Sequence, residues 1–256
     1  MQYDILGPVR VTDSRGSKFV SARKVQVLLV LLLIRARRVV SIDEAIAEIW
    51  GDNPPRRVTA SIHVYISQLR KFLAQPGSRH NPILTRPPGY LFHLGNDELD
   101  VDQFQGLLHQ GRRHLKEGRP ENAVAAFEAG LSLWRGPALG DLCDGPVIQG
   151  FATWLEETRL ECVESLIEAQ LTLGLHRELV GRLGSLTSEH PLRETFYRQL
   201  MLALCRSERQ ADALRTYQQA RSRLNKELGL EPCRALRDLQ QAILMADERL
   251  ELPHTA

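Results

Sequence analysis

Short strand-like segments, three helical stretches and a second pair of strands fill the first 95 residues of this 256-residue chain, and helix follows helix in the rest. That order predicts an α+β domain followed by an all-α domain. Charge divides at the same place. Residues 1–95 carry 14 Lys and Arg against 6 Asp and Glu, and residues 96–256 carry 19 against 25, so +8 and −6 lie hidden in an overall +2. A basic first domain suits a polyanionic partner, and an acidic second one is free to meet protein.

Between residues 3 and 20, Tyr3, Ile5 and Leu6, then Val9 and Val11, then Phe19 and Val20 are separated by Gly7-Pro8 and Asp13-Ser14-Arg15-Gly16. Apolar segments parted by turn residues predict a small antiparallel sheet. Ser21 is placed to cap a helix running to about Ala36, with Val25, Leu28, Leu29, Leu32 and Leu33 on one stripe. This helix is apolar nearly all round and belongs at the centre of a bundle. Ser41-Ile42-Asp43-Glu44 reads as a capping box opening a helix over Ile42 to Trp50, in which serine and glutamate each satisfy a free backbone N–H. Gly51 stops that helix, Ala45, Ile46, Ile49 and Trp50 form its inner face, and Asp52-Asn53-Pro54-Pro55 is a loop.

Arg56 to Leu73 organises the domain. Ile62, Ile66, Leu69 and Leu73 draw one apolar stripe, while Ser61, Val64, Ser67, Gln68 and Lys71 share the other face. Short side chains at the centre let a helix enter a major groove. Arg56 and Arg57 before it, and Arg70 and Lys71 after it, suit flanking phosphates. Taken alone, the stretch reads better as an ordinary amphipathic surface helix with a solvated basic face. Its neighbours change the reading. A polar loop over Gln75 to Asn81 leads to Ile83 to Leu94, which reads as strand, Pro-Gly turn and strand with Arg86 at the tip. A hairpin directly after such a helix is a wing, and Arg86 is placed for a minor groove. The predicted fold class is therefore an α+β amino-terminal winged helix-turn-helix domain (1–95), followed by an all-α tetratricopeptide-like helical domain (96–256).

The second part of that prediction rests on a repeat. Arg119-x-x-x-Ala123-x-x-x-Phe127, Leu175-x-x-x-Leu179-x-x-x-Leu183 and Arg209-x-x-x-Ala213-x-x-x-Tyr217 share one shape. The last two start 34 residues apart, the tetratricopeptide period. The first two start 56 apart, and a Gly/Pro-rich insertion around Arg135 to Gly150 accounts for the excess. Partner helices are expected over Val101 to Glu117, Leu155 to Leu173 and Leu192 to Ser207, with a final helix over Pro232 to Ala246.

Other chemistries find little support. Cys143, Cys162, Cys205 and Cys233 form no CxxC pair and have no His at metal-ligand spacing, so no metal and no cofactor is expected. The eight histidines fall in no H-E-x-x-H motif, and no nucleophile elbow or Gly-rich phosphate loop occurs, so an enzyme is not expected. No signal peptide is read, and the apolar run Val27 to Ile34 is far shorter than the ~20 residues that span a bilayer. A cytoplasmic, nucleoid-associated protein without membrane contact is the expectation.

Particular stretches carry a resemblance. Leu6-Gly7-Pro8, Arg38-Val39-Val40-Ser41, Ile49-Trp50-Gly51, Val64-Tyr65-Ile66-Ser67-Gln68-Leu69-Arg70 and Thr85-Arg86-Pro87-Pro88-Gly89-Tyr90 resemble the winged-helix domain of OmpR-type regulators. The version is that of the Streptomyces antibiotic regulatory proteins. Leu133-Trp134-Arg135-Gly136-Pro137-Ala138-Leu139, Glu189-His190-Pro191-Leu192-Arg193-Glu194, Gln199 to Leu204 and Glu227-Leu228-Gly229-Leu230-Glu231-Pro232 resemble that family's bacterial transcriptional activation domain. The resemblance covers nearly the whole chain. It includes no receiver domain, so no phospho-aspartate switch is expected, and no G-x-x-x-x-G-K-[ST] of the larger nucleotide-hydrolysing relatives occurs.

The resemblance implies a transcriptional activator that binds double-stranded DNA at direct repeats near a promoter's −35 region. It implies a head-to-tail pair on DNA and contact with RNA polymerase and its sigma factor. Within that frame Val64 meets a thymine methyl, Ser67 and Gln68 read base edges beside Ser61, and Arg56, Arg57, Arg70 and Lys71 hold phosphates. Two other readings stay open: a tetratricopeptide-like protein-binding scaffold, and a repressor with the same DNA contacts.

Overall fold

The computed structural model describes residues 1–74, 81–142 and 145–247. Most of the polar loop over 75–81, together with Cys143, lies outside the described residues. The chain forms two compact units, Met1–Leu108 with Ala129–Leu160, and His109–Glu128 with Glu161–Ala256. Residues 129–160 thus pack with the amino-terminal elements.

The first unit opens with β1 (Gln2–Asp4), β2 (Arg10–Asp13) and β3 (Gly16–Lys18), joined antiparallel as the turn residues predict. The third strand ends sooner than expected. Its pairing stops at Val11↔Lys18, and Phe19, read as a strand residue, is 62% exposed. Helix α1 (Arg23–Ile34) buries eight of its residues, including Val25, Leu28, Leu29, Leu32 and Leu33. It is central, as its apolar circumference requires. Two details differ. Ala22, not Ser21, occupies the N-cap and makes no side-chain cap. The helix also stops before Ala36, where Arg37 adopts φ +71° and donates its N–H to Phe92 O.

That turn leads into β4 (Val39–Ser41), which sequence pattern did not reveal. Helix α2 (Ile42–Trp50) follows and ends at Gly51, φ +55°. Only half of the predicted capping box forms. Ser41 Oγ accepts from Glu44 N at 3.0 Å, but the Glu44 carboxylate turns to Arg35 Nε at 3.3 Å. Ser41 backbone is meanwhile paired with Gly89 in the sheet.

Helix α3 (Val58–Phe72) buries Ile62, Ile66 and Leu69, and Leu73 just beyond its end is buried too. Strands β5 (Ile83–Arg86) and β6 (Gly89–Phe92) form the hairpin, and the sheet runs β4-β6-β5. The turn is Pro87-Pro88, between the paired residues Arg86 and Gly89, so Gly89 belongs to a strand and not to the turn. A short β7 (Glu98–Leu99), also unforeseen, lies parallel to β1 and completes the order β3-β2-β1-β7.

Helices α4 (Asp100–Lys116), α5 (Pro120–Ser132) and α6 (Pro146–Thr172) each contribute residues to both units. Asp100, 2% exposed, accepts from Ile5 N and Leu6 N at 2.8 to 2.9 Å. Burial pushes its carboxyl up to about 6, against the opposing pull of those N–H donors. Arg135 N and Leu139 N donate to Leu6 O and Ile5 O. The predicted insertion is thus where two motifs distant in sequence, Leu6-Gly7-Pro8 and Leu133 to Leu139, meet. Part of it is also helical, since α6 starts at Pro146 and not at Leu155.

In the second unit α7 (His176–Glu189), α8 (Glu194–Arg206), α9 (Gln210–Leu228) and α10 (Arg234–Leu244) follow close to the predicted spans. The repeat is visible in the turns. Arg119 N, Leu175 N and Arg209 N donate to His114 O, Gln170 O and Leu204 O at 2.9 to 3.0 Å. Before each donor stands a left-handed residue, Gly118 (φ 68°), Gly174 (φ 81°) or Glu208 (φ 63°). Each turn is a Schellman motif, which closes the free carbonyls of the preceding helix. The repeated Ala123, Leu179 and Ala213, and Phe127, Leu183 and Tyr217, are all buried.

Glu208 alone meets the left-handed position with a side chain. Glu208→Gly is expected to stabilise the protein by roughly 0.5–1 kcal/mol, the relief of that backbone strain less the extra freedom of an unfolded glycine. Denaturant unfolding measures it, and a lower midpoint in the variant contradicts it.

Candidate nucleic-acid interface

Three packing devices hold the outer face of α3 in place. Its apolar stripe seats it on the first unit's core. Trp50 at the end of α2 stacks on Tyr65, ring centroids 5.9 Å apart and 17° between planes, and Lys24 Nζ lies 4.9 Å from the Trp50 ring. Arg70 supplies the third. Its Nε and Nη2 donate to Ile83 O at 3.1 and 3.0 Å, and Nη2 also donates to Thr85 Oγ1 at 2.8 Å. The same guanidinium lies 5.8 Å from the Tyr90 ring. Sequence position places Arg70 among the phosphate-facing cations, whereas its hydrogen bonds join the helix to the hairpin.

The other predicted residues fall on one side. Val64 is 52% exposed, and Ser67, Gln68 and Lys71 are exposed beside it. Ser61 is half-buried, with its hydroxyl donating to Arg57 O at 3.3 Å. Arg56 and Arg57 stand exposed at the start of α3, and Arg57 is the N-cap residue with no side-chain cap. Arg86 is exposed where β5 meets the turn. His63, also exposed, joins this face and escaped the sequence reading, although it stands one helical turn from Ser67.

The cations of the first unit sort by pairing. Arg10 binds Asp4, Arg15 and Lys18 bind Asp13, Arg23 binds Asp141 and Arg35 binds Glu44. Lys18 and Arg15 hold the Asp13 carboxyl far below the usual carboxylate range. Lys24, Arg37 and Arg38 have no ion pair among the described residues, and neither do Arg56, Arg57, Lys71 and Arg86, which flank α3 and the hairpin turn. Uncompensated charge therefore borders the exposed face of α3 and the hairpin tip. That is the arrangement a phosphate backbone neutralises, with short side chains between the cations to approach base edges.

Among the described residues no three His, Cys, Asp or Glu side chains gather as a metal site, and no helix is long and apolar enough to cross a membrane. Cys162 is buried and its thiol is pushed up to about 12, while Cys233 is exposed just before α10.

Residues 18–92 match the family described as "Transcriptional regulatory protein, C terminal", and residues 99–244 match "Bacterial transcriptional activator domain". The chain is 38% identical to Regulatory protein AfsR of Streptomyces griseus, matching 99% of its own length but 25% of that protein's. It is 37% identical to Transcriptional regulator RedD of Streptomyces coelicolor, covering 99% of the chain and 73% of the relative. With Regulatory protein DnrI of Streptomyces peucetius the values are 36%, 98% and 94%. Among solved structures, Mycobacterium tuberculosis EmbR in complex with a low-affinity phosphopeptide superimposes with a TM-score of 0.90 at 33% identity, over 96% of this chain and 65% of that one.

Proposed function

Because the chain belongs to the Streptomyces antibiotic regulatory protein family, joining an OmpR-type winged helix to a bacterial transcriptional activation domain, we propose that it activates transcription of a secondary-metabolite gene cluster by binding direct repeats near the −35 region. The observation that carries this reading is the set of unpaired cations, Arg56, Arg57, Lys71 and Arg86, around the exposed face of α3. In this reading Val64 touches a thymine methyl, and Ser67 and Gln68 hydrogen-bond base edges, with Ser61 packed close at the groove wall. Arg56, Arg57 and Lys71 hold phosphates, and Arg86 enters the adjacent minor groove. Arg70 fixes the angle between helix and wing. Two copies stand head to tail on repeats about one helical turn, ~10–10.5 bp, apart.

Residues 1–95 supply the DNA contacts and residues 96–256 the contact with RNA polymerase and its sigma factor. The protein is a regulator at the chromosome and not an enzyme. Footprinting on the DNA flanking its gene, at two salt concentrations, is the test. Protection of two adjacent repeats that weakens with salt is expected, together with increased transcript from that promoter on adding the protein to purified polymerase. Arg57→Ala is expected to weaken binding to every sequence and to lower the salt slope by about 1. Gln68→Ala is expected to relax the preference at one base position only. No protection at low salt overturns the reading, and unchanged base preferences in Gln68→Ala overturn the helix register.

A further inference from the structure

The first unit holds a cleft of about 270 Å³ away from the face of α3. Its floor is apolar, with Leu33 from α1 and Leu99 from β7, and its wall is aromatic, with Phe151 and Trp154 from α6. The two rings lie 5.2 Å apart and tilted by 40°. Trp154 is 40% exposed and lines the cleft, so part of its indole is open there. Arg37, Asp102 and Gln105 are the polar residues of the lining, and neither of the two charged ones makes an ion pair among the described residues.

These two charges are not equivalent. Asp102 lies in the first turn of α4, where the helix N-terminus offsets a negative charge. Arg37 stands outside a helix, and its left-handed backbone (φ +71°) is anchored by its N–H to Phe92 O. The residue is exposed and its guanidinium is open to a ligand. A strained residue that sets a charged side chain at the edge of a cavity is a reason to look for a ligand there.

We propose that this cleft binds a small planar aromatic carboxylate. The ring system stacks on Trp154 over the apolar floor, and the carboxylate takes a two-pronged hydrogen bond from Arg37. The volume lies just under the ~300–1,000 Å³ of drug-sized pockets, which limits the ligand to about two fused rings. The site is independent of the DNA contacts, so its test does not depend on the reading above.

The probe is 2-naphthoic acid, titrated calorimetrically into the full chain, with 2-naphthalenemethanol as its uncharged counterpart. Saturable binding at one site is expected, tighter for the acid than for the alcohol. Arg37→Gly removes the charge at a position whose backbone suits glycine. It is expected to weaken the acid by about tenfold or more, the worth of a charge-assisted hydrogen bond, and to leave the alcohol unchanged. Trp154→Ala, an exposed position, is expected to weaken both. Circular dichroism confirms that each variant is folded. The proposal is overturned if the wild type shows no saturable binding, if the alcohol binds as tightly as the acid, or if Arg37→Gly leaves the acid unaffected.

Discussion

Gly89→Ala is expected to destabilise the protein by about 3 kcal/mol or more and to lower its Tm by roughly 10 °C. A Cβ on Gly89 would stand 1.9 Å from Val40 O and 2.8 Å from Ser41 Cα. Both belong to the backbone of β4, so no side-chain rotation relieves the clash, and β4 and β6 must separate. The damage spreads, because the residue that pairs with Gly89 is Ser41, whose hydroxyl caps α2. Opening this pair loosens the wing sheet and the first helix of the helix-turn-helix together. DNA affinity is expected to fall with stability, although Gly89 has no side chain to offer a base. Thermal unfolding of the variant checks the first claim, and an unchanged Tm refutes it.

Glu48→Ala is expected to cost about 3 kcal/mol, and Glu48→Gln a smaller part of that. Glu48 is 2% exposed on α2, and its two carboxylate oxygens accept from Val147 N at 3.0 Å and Ile148 N at 2.8 Å. These are free N–H groups in the first turn of α6, where a negative charge also meets the positive end of the helix. Alanine leaves both donors without this partner, Ile148 N fully buried and Val147 N partly so. Glutamine keeps one acceptor oxygen but turns an NH₂ towards the second N–H, and since both variants lose the charge, their difference is the worth of the acceptor that glutamine keeps. Denaturant midpoints measure both. Equal costs would contradict the expectation, because they would mean that the acceptor oxygen glutamine keeps contributes nothing. Gly145 belongs to the same arrangement, since a Cβ there would stand 2.3 Å from the Glu48 carboxyl carbon.

Much of this protein is legible in its sequence because its periodicities are local. The stripe Ile62, Ile66, Leu69 and Leu73 marks α3 and its buried side, and therefore also its exposed side with Val64, Ser67 and Gln68. The Ala and aromatic spacing of residues 119–127 and 209–217 foretells turns that prove to share the same hydrogen bonds. Gly51 marks where α2 stops. These signals depend on which face of a helix is apolar and on which residues tolerate a turn, and neighbours in sequence decide both.

What only the tertiary structure decided involves partners far along the chain. Glu48 has the sequence appearance of a solvated helix residue, and only the arrival of residues 147 and 148 makes it a buried cap. Arg70 is one cation among several until Ile83 and Thr85 claim its donors. Gly89 has the composition of a turn and is instead a place where two backbones touch. Strands β4 and β7 are too short to carry a pattern and exist because β6 and β1 offer them hydrogen bonds. The unpaired state of Arg56, Arg57, Lys71 and Arg86 is likewise a result of packing. Local residues set what each element is. Long-range contacts determine which polar groups are used within the fold and which are left for a partner.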